Sequence, residues 1–147
     1  MADNAVIDGL NAALANATVF YQKLRAFHWM VKGPQFYVLH EKFEELYDQW
    51  AETIDELAER VVQLGGTPPL TLVHTLELAK LKEEPKTPGA NAMVTAVIAD
   101  LKAQQDGLRK IIGSAEEHND RTTANTLDGI VDGIDKTVWM LGALNAQ

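Results

Sequence analysis

Residues 36 to 64 carry an uninterrupted helical pattern with two adjacent stripes, and this stretch constrains the fold more than any other. Leu39, Phe43, Leu46, Trp50, Leu57, Val61 and Leu64 recur at the spacing of one helix face. A helix of this length reaches about 40 Å. Its apolar stripe must be covered along that reach, so the chain needs other helices of similar length. The neighbouring stripe holds His40, Glu44, Tyr47, Ala51, Asp55, Ala58 and Val62. Carboxylates, a histidine and small apolar residues together make a poor solvated face. They fit a partner interface that carries metal ligands. Glu41, Glu45, Glu52 and Glu56 read as ordinary solvated helix surface.

His40 and Glu44 are four residues apart, as are Asp55 and Glu59. Side chains at that spacing share a helix face. Imidazole with carboxylate suits divalent iron, manganese or zinc. Asp55 follows His40 by 15 residues, about 22 Å along the axis. One helix therefore cannot bring both pairs to one ion. Their angular offset is only roughly 60°, so both face nearly the same way. Two copies packed antiparallel, with a two-fold axis near residues 49 and 50, would set His40 and Glu44 of one against Asp55 and Glu59 of the other. The spacing predicts an intersubunit metal site, two per two-fold contact.

The first helix is expected from about residue 4 to 32, with Asp3 or Asn4 as its cap. Leu10, Leu14, Ala17, Tyr21, Leu24, His28 and Val31 form its inward stripe. On the residues alone His28 is as well explained as a satisfied core histidine as it is as a ligand. Gly33-Pro34 ends this helix and Gly65-Gly66 ends the second. The segment 65–88 is too long for a hairpin and long enough to cross a bundle, with a short helix near 71–80. A third long helix is expected over 89–115 and a fourth over 120–144. Gly129 and Gly133 are expected to permit close packing of the last helix. At 147 residues the chain is read as one domain, 1–147.

No apolar run approaches the about 18 residues of a membrane span, and Met1-Ala2-Asp3-Asn4 lacks the pattern of a signal peptide. The chain has no cysteine, hence no disulfide and no thiolate site. A cytoplasmic location is expected. The net charge of −8 attracts cations and opposes phosphate backbones.

The run from His28 to Gly65 resembles the Dps family, the mini-ferritins. The family pattern is met by His28, Trp29, Val31, Gly33, Phe36, Leu39, His40, Phe43, Tyr47, Asp55, Ala58, Glu59, Arg60 and Gly65. The resemblance implies an all-α, ferritin-like four-helix bundle with a short helix in the long crossover between the second and third long helices. It implies a homododecamer whose ferroxidase sites, each for two iron ions, lie at two-fold dimer interfaces. There Fe(II) is oxidised, preferably by hydrogen peroxide, and ferric mineral is stored, a role in oxidative-stress defence. Zinc or manganese are possible substitutes for iron. His28, His40, Asp55 and Glu59 are the implied catalytic and metal-binding residues. Glu44 takes a second, weaker iron position or supports the ligands.

Trp29 is a candidate electron relay, with interface packing as its rival role. Asp120 and then Asp128 are candidates for an iron-entry pore, and helix capping is the rival role of Asp120. Asn125 stands where the family often has an acid. Some relatives bind DNA through a lysine-rich tail. Here the first lysine is Lys23, so DNA binding is not expected, although a DNA-protecting shell stays as the alternative. An intrachain di-iron site of the larger ferritins needs Glu-x-x-His motifs. Arg25, Tyr37, Thr71 and Ala115 precede the four histidines by three, which argues against it. His74 and His118 read as surface or interface residues, and Trp139-Met140 as packing.

Overall fold

The computed structural model describes residues 4–146. Asp3, one of the two capping candidates, lies outside them. Five helices and no strands occur among the described residues: α1 (Asn4–Met30), α2 (Phe36–Gln63), α3 (Leu72–Leu78), α4 (Ala90–Glu117) and α5 (Arg121–Asn145). The fold is all-α. Long helices α1, α2, α4 and α5 form the bundle, and α3 sits in the crossover from α2 to α4, packed on α1.

The stripes expected of the first two helices supply much of the core: Leu10, Leu14, Leu24, Leu39, Phe43, Leu46, Trp50, Leu57 and Val61 are buried, while Tyr21 and Leu64 are half-buried. The long helices α4 and α5 add Met93, Val97, Leu101, Leu108, Leu127, Ile134 and Leu141. Phe20 meets Trp50 edge-on at 5.2 Å between centroids, a favoured aromatic geometry. The helix ends follow local chemistry. Gly33 and Gly65 adopt φ of +102° and +89°, a region that side chains resist. Asn119 closes α4 in the left-handed region at φ 58°, which asparagine tolerates. The Asp120 side chain then caps α5 by accepting from the Thr123 N–H.

The glycines of α5 depart from the sequence expectation. Gly129 and Gly133 do not mediate close packing within the chain: a Cβ added at either would have no neighbour within 4 Å. They line an open groove of about 330 Å³ between α2 and α5. The tight approaches are made by Gly9, where an added Cβ would lie 2.8 Å from Ile111 Cγ1, and by Gly66, where it would lie 2.7 Å from Ile7 Cγ2. Among the described residues no helix is long and apolar enough to cross a membrane.

Candidate metal centre

The end of α1 and the first turns of α2 bring His28 and His40 together. Their rings stack, 3.8 Å between centroids and 15° from parallel. His28 Nδ1 lies 2.6 Å from the His40 carbonyl oxygen, and His40 Nδ1 lies 2.7 Å from the His28 carbonyl oxygen. A carbonyl only accepts, so each Nδ1 carries its proton. The His28 carbonyl is one of those that the end of α1 leaves without a helical partner. His40 therefore satisfies a helix terminus and fixes its own tautomer with one bond.

The reciprocal pair leaves both Nε2 atoms unprotonated in the neutral rings, with lone pairs available. This is the form in which imidazole ligates a metal, oriented by an acceptor on its other nitrogen. Glu44, one turn after His40, has Oε1 3.7 Å from His28 Nε2. That is too long for a hydrogen bond, but two metal–ligand bonds of about 2.1 Å can bridge it. His28 is buried, His40 half-buried and Glu44 exposed. One side of the group is thus packed and the other open. Phe36 stacks on the far face of His40 at 4.9 Å. Tyr47 packs edge-on against His28 at 5.4 Å and against Tyr21 at 5.8 Å. Burial and the nearby Glu44 and Asp48 carboxylates push the Tyr47 hydroxyl pKa up.

Asp55 and Glu59 do not join this cluster. They are exposed on the distal half of α2, beyond the reach of His28 and His40. Among the described residues no three histidine, aspartate or glutamate side chains gather within the chain to hold a metal ion. The candidate donors are split along α2, as their 15-residue spacing requires.

The ferritin-like domain model matches residues 7–147. A DNA protection during starvation protein of Brevibacillus brevis is 46% identical over 134 residues, 91% of this chain and 90% of that one. A Dps crystal structure from Bacillus brevis superposes with a TM-score of 0.96 at 43% identity, covering 99% of this chain and 100% of the other. The chain belongs to the Dps family of ferritin-like proteins. A Dps protein from Vibrio cholerae O1, described as a member of a broad superfamily of ferritin-like diiron-carboxylate proteins, is also similar. It is 31% identical, has a TM-score of 0.94, and the match covers 97% of this chain and 90% of that one.

In this Dps-family chain the other candidates divide. Trp29 is 54% exposed and lies over the Arg25 guanidinium, 5.1 Å from its ring centroid; Arg25 also covers Tyr21 at 5.4 Å. Asp128 is exposed on α5. Asp120 is engaged: its carboxylate accepts from Thr123 N at 3.1 Å, Thr123 Oγ1 at 2.6 Å and Arg60 Nη2 at 3.1 Å. Burial raises the Asp120 pKa, but the Thr123 bonds and the Arg60 cation outweigh it, and the carboxyl sits below its ordinary value.

Sequence reasoning passed over the Tyr21–Tyr47 contact behind His28 and the Arg60–Asp120–Thr123 cluster. For the first, a signal existed. Tyr21 precedes His28 by seven residues and Tyr47 follows His40 by seven, two turns on the same face of each helix. For the second there was none, since Arg60 and Thr123 are 63 residues apart.

Proposed function

We propose that this chain is a ferroxidase of an iron-storing shell. His28, His40 and Glu44 of one copy and Asp55 and Glu59 of a two-fold-related copy hold two iron ions at each intersubunit site. The observation that carries this is the reciprocal His28–His40 pair, which commits both Nδ1 atoms to backbone carbonyls and leaves the His28 Nε2 3.7 Å from the exposed Glu44 carboxylate. Imidazole holds ferrous iron, and hard carboxylate oxygen favours the ferric state, so the mixed set promotes electron loss. Two ferrous ions deliver two electrons to one hydrogen peroxide, which takes up two protons and leaves as two waters. No single-electron reduction of peroxide occurs, which limits hydroxyl-radical formation. Twelve copies enclosing a cavity give the ferric product a place to mineralise. Of the two pore candidates we favour Asp128, whose carboxylate is exposed, over Asp120, which is bonded to Arg60 and Thr123.

The test is anaerobic Fe(II) loading, then peroxide or oxygen, with ferric absorbance followed in each case. Fast oxidation that consumes about two irons per peroxide and is lost in Asp55→Ala with Glu59→Ala, while the shell still assembles, supports the assignment. Kinetics unchanged by that double substitution rule it out. Trp29→Phe separates relay from packing: a relay role requires more oxidative damage to the shell at unchanged assembly.

The names of relatives such as the Brevibacillus brevis protein favour a second activity, protection of DNA. The net charge of −8 opposes direct phosphate contact. No gel shift is expected at physiological salt without divalent metal, and a clear shift there would establish direct binding.

A further inference from the structure

Arg60 is the one cation within five residues of both Asp55 and Glu59 on α2. Glu56 precedes it by four, the helical arrangement in which a carboxylate ordinarily captures an arginine. The structure does otherwise. Arg60 Nε donates to Thr123 Oγ1 at 2.8 Å, Nη2 to Asp120 Oδ1 at 3.1 Å, and Nη1 to Gln63 Oε1 at 3.1 Å. Both charged side chains are largely covered, 17% exposed for Arg60 and 18% for Asp120. Thr123 is fully buried beneath them. The cation is drawn away from the acidic face of its own helix and held at the first turn of α5. Next to this link, α2 and α5 part along the groove lined by Glu52, Glu56, Gly129 and Gly133.

We propose that Asp120 is a positioning and charge-neutralising residue: through Thr123 it fixes Arg60 against α5 and keeps that cation from opposing metal binding at Asp55 and Glu59. This rests on the assignment of those two carboxylates as ligands. A divalent ion bound by Glu59 lies next along the chain from Arg60. An uncompensated unit charge within about 10 Å of a dication shifts its binding about two- to five-fold in water at low salt. Asp120 removes that opposition, and the same carboxylate caps α5.

The experiment uses the assembled full-length protein and Co(II) alone, titrated by its visible absorption at low ionic strength. Asp120→Asn keeps a capping side chain and is expected to weaken Co(II) binding about two- to five-fold, with a smaller deficit at high salt. Arg60→Gln leaves the Asp120 charge unopposed and is expected to bind Co(II) about two- to five-fold more tightly than wild type, and binding equal to wild type overturns the proposal. The double variant is expected to return to within about two-fold of wild type, which a purely mechanical role would not produce. Equal weakening in all three variants overturns the proposal, as does weakening by Arg60→Gln alone. If wild-type binding ignores Asp55→Ala and Glu59→Ala, the ligand assignment itself fails and this inference falls with it. If wild type is sensitive to those changes and Asp120→Asn binds like wild type, only this inference is overturned. Should Asp120→Asn fail to assemble, Arg60→Gln still decides.

Discussion

Thr123→Val isolates what the Arg60–Asp120 cluster contributes to stability. Valine matches threonine in shape and branching, so the substitution removes a hydroxyl without opening a cavity. That hydroxyl gives its proton to Asp120 Oδ2 at 2.6 Å and accepts from Arg60 Nε at 2.8 Å. Thr123 has no exposed surface, so water cannot take its place from below. Each lost bond involves a charged partner, worth about 1.5–3 kcal/mol. Arg60 and Asp120 keep their mutual bond and some solvent access, 17% and 18%, which lowers the sum. The expected loss is about 2–4 kcal/mol.

Urea unfolding at fixed protein concentration is the assay, so that any self-association weighs equally on both proteins. The midpoint should fall while the slope stays constant. A loss below about 0.5 kcal/mol would show that solvent already serves these groups, and the account of the cluster would be wrong. The pH dependence gives an independent check. Asp120 has a folded pKa below its unfolded value, so its contribution is fully present above about pH 4 and is lost as pH falls through the lowered folded value. The gap between wild type and Thr123→Val should narrow on that same descent.

Phe43→Ala removes a fully buried ring of the α1–α2 core and should cost about 3–5 kcal/mol by urea unfolding; a cost under about 1 kcal/mol would mean that the core collapses around it. Gly33→Ala places a side chain at φ +102° and should destabilise by about 1–3 kcal/mol, and an unchanged midpoint would show that the turn relaxes freely. His40→Ala removes one Nε2 and the proton donor to the His28 carbonyl; Zn(II) affinity, read by competition with a chromophoric chelator, should fall more than about ten-fold, and a smaller change would exclude His40 as a ligand. Tyr47→Phe keeps the edge-on contact with His28 and should leave Zn(II) affinity within about two-fold, since its hydroxyl is not in the donor set; a larger loss would give that hydroxyl a direct role.

The long helices and the identity of the candidate ligands were legible in the chain itself. Apolar residues at i, i+3 and i+4 and the punctuation at Gly33-Pro34 and Gly65-Gly66 are local signals, and local signals fix helix limits to within two residues here. The 15-residue separation of His40 from Asp55 also settled, by helix geometry alone, that one copy of α2 cannot gather both pairs. What required the tertiary structure was every relation between helices. The exchange of His28 and His40 ring protons for each other's carbonyls depends on how the end of α1 meets the start of α2. No periodicity announces that geometry. The same holds for Arg60: its own helix offers Glu56, and only the packing of α5 beside α2 supplies Asp120 and Thr123 as the better partners. Gly129 and Gly133, small residues on a helix, looked like contact points and proved to line an open groove. A helix face is written in the sequence, but what lies across from it is decided by packing, where burial and partner geometry select among faces that the sequence leaves equivalent.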